Sequence, residues 1–313
     1  NQGDTTDREA LFSSTLGEST AVTIPAISVP YQLGVGLRDT AASVQLAIVT
    51  SVESKTSFNV IAETRTGNPD NIVMVGAHLD SVPEGPGIND NGSGSAGILE
   101  IALQMKNLKP TNKVRFAWFS AEELGLIGST KYVESLTAEE KAKIALMVNV
   151  DMIGSPNHKI AVYDGDGSRF GLQGPAGSDV IERKFHEFFG STGIQSVETE
   201  MNGRSDYAAF AAAGIAVGGL FTGAEGLKTE DEARLFGGTA GAPYDACYHK
   251  ACAGMSNINI AALQSNTNAV AFIALGFSES TGGIRSNNKS SQLARRPVVY
   301  PKHLHCHEDI YDI

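Results

Sequence analysis

Strand-like apolar runs alternate with stretches of helical spacing along most of this chain, and that alternation constrains the fold more than any other feature. The runs lie at 72–79, 113–119 (KVRFAWF), 144–151 (IALMVNVD), 159–163 and 215–221. Segments 94–106, 175–189 and 257–276 place apolar residues one helical turn apart. The pattern predicts an α/β fold: a three-layer α/β/α sandwich around a mixed, largely parallel central sheet. Residues before about 50 differ, reading as short strands at 21–24, 26–29 and 44–49 with turn residues between them. After Ser280 the chain turns polar and basic, as a tail that orders only by docking.

At 313 residues the chain can bury one large core with a small second module. A hydrophobic share of 42% and a charged share of 19% fit a globular protein in water, and no apolar run has a membrane helix's length. The net charge of −11 argues against a nucleic-acid partner.

The strand ends carry the chemistry. In open α/β sheets, ligands bind beyond the carboxyl ends of the strands. The first run delivers His78 and Asp80, and Asp90 follows in the glycine-rich INDNGSG loop. KVRFAWF leads to Glu122 and Glu123, and IALMVNV ends at Asp151. His249 sits between Cys247 and Cys252. Taken singly, a strand-end Asp is a helix cap, paired glutamates favour a helix dipole, and a histidine is structural. Taken together, two histidines and three carboxylates at one sheet edge suit a pair of borderline divalent metals bridged by one carboxylate and one water. Asp90 fits the bridge, because Gly92 and Gly94 leave room around it. Cys247 and Cys252 can close a small loop as a disulfide, with Cys306 left over, or all three can be reduced thiols.

HLDSVPEGPGINDNGSGSAGILE, RFAWFSAEELGLIGS, NVDMIGSP, GRSDYAAF, GLFTGAEG and YDACYHKAC, in this order, resemble the secreted co-catalytic di-zinc aminopeptidases of the leucyl-aminopeptidase type, from about Asn59 to Ala274. The resemblance implies two Zn2+ ions held by His78, Asp90, Glu123, Asp151 and His249, with Glu122 as general base. Tyr248 would donate to the developing oxyanion, and Asp80 would orient His78. Glu122 and Asp151 would receive the substrate's α-amine, with Arg204 assisting around the substrate backbone. Glu198 matches a family glutamate linked to activity and could equally be a surface residue. Phe221 and Met201 match a specificity pocket favouring leucine and other large apolar first residues. The resemblance also favours a Cys247–Cys252 bridge, and with it secretion. Peptide and protein amino termini are the expected partners of a monomeric enzyme.

AISVPYQLGVGL resembles the end of a protease-associated (PA) domain, so the expected organisation is PA remnant at 1–50, zinc peptidase domain at 51–280 and polar tail at 281–313. Beginning at Asn1, the sequence reads as the downstream part of a longer precursor. Tyr207 stands where several family members have histidine. Gln264 and Asn268 stand where some have calcium-binding aspartates, so no such calcium site is expected. His303, His305, Cys306 and His307 read as chance clustering in the tail. Asn288 is a more credible glycosylation acceptor than Asn91. Two other functions compete: a dipeptidase or carboxypeptidase, which needs a cation for the substrate carboxylate, and a non-catalytic receptor-like module, which typically loses ligands or base.

Overall fold

The computed structural model describes residues 27–40, 43–49 and 54–284. It divides into two units, the larger being Ser57–Tyr300. Among the described residues before Ser57 there is one helix, α1 (Tyr31–Thr40). The strands expected at 26–29 and 44–49 are not formed, since residues 27–30 and 43–49 carry no regular structure. Val44, Leu46 and Val49 are exposed. β-branched composition yields a strand only where a neighbour pairs its backbone and a core takes one face. The strand expected at 21–24, Asn288 and the histidines of the tail lie outside the described residues.

The larger unit is built on a seven-stranded sheet. In chain order its strands are β1 (Val60–Glu63), β2 (Asn68–His78), β3 (Asn112–Phe119), β4 (Ile144–Val150), β5 (Ala161–Tyr163), β6 (Val197–Thr199) and β7 (Ala216–Phe221). Across the sheet they run β1-β3-β2-β4-β7-β5-β6. The central four are mutually parallel. β1 joins β3 antiparallel, β5 joins β7 antiparallel, and β6 runs parallel to β5. The sheet is therefore mixed, with a parallel centre.

Strand alternation sends side chains into two layers. Val73, Val75, Val114, Phe116, Leu146 and Val148 pack against helices α2 (Gly94–Met105), α5 (Ser178–Ser191) and α8 (Ile260–Glu279). Met74, Phe119 and Met147 face helices α3 (Ile127–Ser135) and α6 (Tyr207–Ala212) on the other side, while the short α4 (Ala138–Lys143) and α7 (Glu230–Phe236) bury no residue. Both faces of β2 and β4 are thus covered, which is why their sequences are continuously apolar. Phe185 and Phe189 of α5 are fully buried, and each contributes about 1.5–3 kcal/mol of transfer free energy. By length and composition α8 could cross a membrane. Its Ala269, Val270, Ile273 and Phe277 instead fill the core between sheet and helices.

Candidate metal centre

The carboxyl ends of β2, β3 and β4 converge on one polar cluster. His78 is the last residue of β2, and its carbonyl accepts a hydrogen bond from Ser95 Oγ at 2.6 Å. The turn at Ile88–Ser93 then carries Asp90 over the sheet edge. Asn91 ties that turn to the strands, donating to Val150 O at 2.9 Å and accepting from Gly94 N at 2.9 Å. A Cβ on Gly94 would collide with Asn91 Oδ1 and Val150 O, so glycine is required there. Asn89 links the turn to a distant loop by donating to Asp245 Oδ2 at 2.7 Å. Asp245 in turn accepts from Cys247 N at 2.9 Å and Asn257 Nδ2 at 2.7 Å. The Cys247–Cys252 disulfide closes the loop, as the resemblance implied. His249 is presented from inside it.

Asp90 faces two sets of donors. Its Oδ1 lies 3.1 Å from His78 Nε2, which is 3.4 Å from Asp151 Oδ1. Its Oδ2 lies 3.0 Å from His249 Nε2, which is 3.0 Å from Glu123 Oε2. His78–Asp90–Asp151 and Asp90–Glu123–His249 each bring three ligand atoms within 4.8 Å of one another, and the two groups share Asp90. All five residues are buried. Glu123 Oε1 and Asp151 Oδ1 are buried with no hydrogen-bond partner. Orphaned carboxylate oxygens beside imidazoles are costly unless a cation completes them. The donor set of nitrogen and oxygen suits zinc.

The electrostatics carry the same message. Burial opposes charge on His249, but hydrogen bonds to Asp90 and Glu123 outweigh it and hold its pKa up to about 10. Burial likewise opposes charge on His78, and Asp151 and Glu122 overcome it, keeping the ring protonated well above its usual range. Burial works against the Asp90 charge, yet the two histidines hold its carboxyl well below the usual carboxylate range. Glu123 is pushed up to about 7 by burial and then by Asp90. Protons on the two imidazoles stand in for cations.

Around the cluster, the backbone is held in unusual conformations. Among the described residues four non-glycines have positive φ, and three of them, Ala121, Met152 and His249, are a proposed ligand or adjoin Glu122 or Asp151. Each costs on the order of 1–3 kcal/mol, a cost sustained when surrounding contacts over-determine the turn. Asp80 contributes to that control. Its Oδ1 accepts from Glu122 N at 3.0 Å and its Oδ2 from Glu123 N at 3.3 Å. His78 Nδ1 lies 3.1 Å from the Asp80 carbonyl and 3.8 Å from its carboxylate. The residue thus orients His78 through its backbone, and its side chain fixes the Glu122–Glu123 turn.

Tyr248 stacks on His249 with ring centroids 3.8 Å apart. Arg204 bonds the Tyr248 side chain and donates to Glu225 Oε1 at 2.7 Å. The other residues expected at the pocket are placed as follows. Met201 is a core residue, 1% exposed, and Phe221 packs partly buried against the same cluster. Glu198 groups with Glu182 and His186. Its register partner Val162 belongs to the core layer of α5, and parallel register partners share a face, so Glu198 points toward α5. Tyr207 is buried, and its hydroxyl accepts from Gly203 N at 2.7 Å, which shapes the Arg204 turn.

Sequence reasoning missed three residues here. Ser205 receives Asn149 Nδ2 at 2.8 Å and donates to Asp151 Oδ2 at 2.6 Å. Asp206 is 1% exposed, with both oxygens lacking a well-formed hydrogen bond. Burial, then repulsion from Asp151 and Asp80, pushes its pKa up to about 7. Burial also raises Glu122 well above the carboxylate range, and Asp206 is among the charges adding to that shift. Glu225 is the third. Ser205 and Asp206 stand in GRSDYAAF and Glu225 in GLFTGAEG, so the motifs carried them without distinguishing them.

Comparison with known proteins fits this geometry. The model of peptidase family M28 matches residues 59–274. An aminopeptidase of Pseudomonas aeruginosa (strain UCBPP-PA14) is 57% identical over 283 residues, covering 90% of this chain and 53% of the relative. Leucine aminopeptidase 2 of Trichophyton equinum is 45% identical over 290 residues, covering 91% and 59%. The chain spans about half the length of the curated relatives it matches. Among solved structures, BSAP, a zinc aminopeptidase from Bacillus subtilis, superposes with a TM-score of 0.58 at 28% identity, covering 71% of this chain and 50% of that one. On the strength of the match across residues 59–274, this chain belongs to peptidase family M28.

Proposed function

We propose that the chain is the catalytic part of a zinc aminopeptidase that removes the first residue of peptides, leucine and other large apolar residues foremost. One observation carries the reading: the two oxygens of Asp90 face separate histidine–carboxylate groups at 3.1 and 3.0 Å. A shared carboxylate between two donor sets suits two ions, with His78 and Asp151 for one and Glu123 and His249 for the other. Zinc held there would lower the pKa of water and polarise the scissile carbonyl.

The chain's own residues do the rest. Glu122 sits on a turn pinned by Asp80, buried, with its pKa raised by that burial. A raised carboxylate is suited to take a proton from water and return it to the leaving amine near neutral pH. Burial, then Asp90, raises the Tyr248 hydroxyl well above its ordinary value, so it keeps its proton and can donate to an oxyanion. Glu122 and Asp151 would receive the substrate's ammonium. Arg204 is already engaged by Glu225 at 2.7 Å, which weighs against a dipeptidase or carboxypeptidase that would need a free cation. The intact base and ligand set weigh against a non-catalytic module. The disulfide supports an oxidising, extracellular location. The unit boundary after residue 56 supports a peptidase domain starting near residue 51, while a PA remnant before it rests on the sequence resemblance.

Leucine-p-nitroanilide tests the reading. The expected result is chromophore release that stops with a chelator and returns with zinc, while N-acetyl-leucine-p-nitroanilide is not cleaved. Chelator-insensitive release, or equal cleavage of the acetylated compound, contradicts it.

A further inference from the structure

A second set of nitrogen and oxygen donors lies at the corner between α5 and β6. Glu182 and His186 are four residues apart on α5 and so share one face of the helix. β6 directs Glu198 at that face. One ligand atom from each of the three lies within 4.8 Å of the others.

The donors are arranged to receive something. His186 Nε2 is buried and has no hydrogen-bond partner. Glu182 Oε1 is 3.9 Å from it, too far for a hydrogen bond, and the Glu182 side chain is 8% exposed. The other oxygen, Oε2, is committed, accepting from Gly165 N at 2.8 Å and Asp166 N at 3.1 Å. That commitment fixes the carboxylate and leaves Oε1 toward the imidazole. The ring is fixed too, with Nδ1 2.8 Å from Ser196 Oγ. With Nδ1–H donated to Ser196, Nε2 presents its lone pair between two carboxylates. Burial lowers the His186 pKa despite the opposing field of Glu198, in keeping with a neutral ring. Among the described residues no lysine or arginine forms an ion pair with Glu182 or Glu198. Two carboxylates and a neutral imidazole therefore carry a charge deficit that a divalent cation would cancel.

The neighbouring trio Asp164, Asp166 and Glu182 is different. Asp164 and Asp166 are occupied by the backbone amides of Ser168, Arg169 and Phe170, an ordinary turn.

We propose that Glu182, His186 and Glu198 form a peripheral site for a first-row divalent cation of zinc type, separate from the centre at the ends of β2–β4. One imidazole and two carboxylates suit zinc, while calcium takes oxygen ligands alone. β6 is a three-residue edge strand paired with β5. A cation there would clip it to α5 and steady the chain that leads on to Arg204 and Ser205.

The test counts metal on protein already loaded with two equivalents of zinc. Further zinc chloride is titrated by equilibrium dialysis with elemental analysis, and melting is followed by circular dichroism. Wild type is expected to take up a third, weaker equivalent and melt at a higher temperature. His186→Gln and Glu198→Gln should each weaken that third equivalent at least tenfold and remove the melting shift. If His186→Gln fails to fold, Glu198→Gln on the edge strand carries the test alone. Absence of a third equivalent in wild type, its persistence in the folded variants, or a melting shift produced by calcium and not by zinc would overturn the proposal. The readouts are metal count and stability, so the result stands apart from whether the enzyme cleaves peptides.

Discussion

The centre at the ends of β2–β4 and the corner between α5 and β6 hold the same kinds of donor, yet they are built to different standards. The centre gathers five buried ligands from three strand ends and two loops, with Asp90 common to both halves. Left-handed turns and hydrogen bonds made by Asp80, Ser205 and Asn89 position its donors, and two of its carboxylate oxygens are left without a hydrogen-bond partner. The corner has three donors, one on a histidine side chain 29% exposed, and the aspartates of the trio beside it are taken up by backbone amides. Donor atoms alone do not make a reaction centre. A shared bridge and a base within reach would, and among the described residues the sheet edge offers Asp90 for the first and a buried Glu122 for the second.

The contrast breaks most sharply at Asp90. Asp90→Ala should strip zinc from both halves and reduce hydrolysis to background, while His186→Gln leaves the two-zinc content intact; elemental analysis after dialysis reads both. Next in size is Glu122→Gln, which should keep its zinc and lose kcat by about 10³-fold. A variant with normal turnover would remove Glu122 from the role of base. Asp80→Asn should be milder. It weakens the acceptors for two backbone amides and for the turn they hold, and the loss expected for a residue supporting metal ligands is about 10–100-fold in metal affinity or activity. A zinc titration of the folded variant that matches wild type would show that the turn holds without it.

The smallest effect concerns protons. In the metal-free protein His249 has its pKa raised to about 10 by Asp90 and Glu123 against burial. A histidine raised on folding stabilises fully below its ordinary value near 6.5, and that contribution is lost as pH climbs through about 10. Zinc must displace the same proton. Zinc uptake should therefore release protons, and the melting shift caused by zinc should grow between about pH 6.5 and 10. A shift constant across that window would mean the imidazoles are neutral before metal arrives.

Much of this was legible in the chain itself, for physical reasons. β2 and β4 are covered on both faces, so their runs are apolar throughout and their ends stand out where His78 and Asp151 interrupt them. β1 and β6 are four- and three-residue edge strands with polar residues, too short to leave a pattern. Residues 44–49 have strand composition without a packed face, and composition alone misled. Glu198 matches a family glutamate linked to activity and reads equally as a surface residue, and only the alternation along β6 shows that it turns toward α5. Asp206 and Glu225 gain their meaning from charges distant in sequence, Asp151 and Arg204, a relation that spacing cannot encode.

The central claim is that Asp90 joins two ion sites into one working unit. Stepwise addition of zinc to metal-free protein, with hydrolysis of leucine-p-nitroanilide followed at each step, tests it most directly. The account predicts no hydrolysis before zinc and a rate that levels off at two bound equivalents. Full activity without metal, or a folded protein that binds two zinc ions and cleaves nothing, would contradict it.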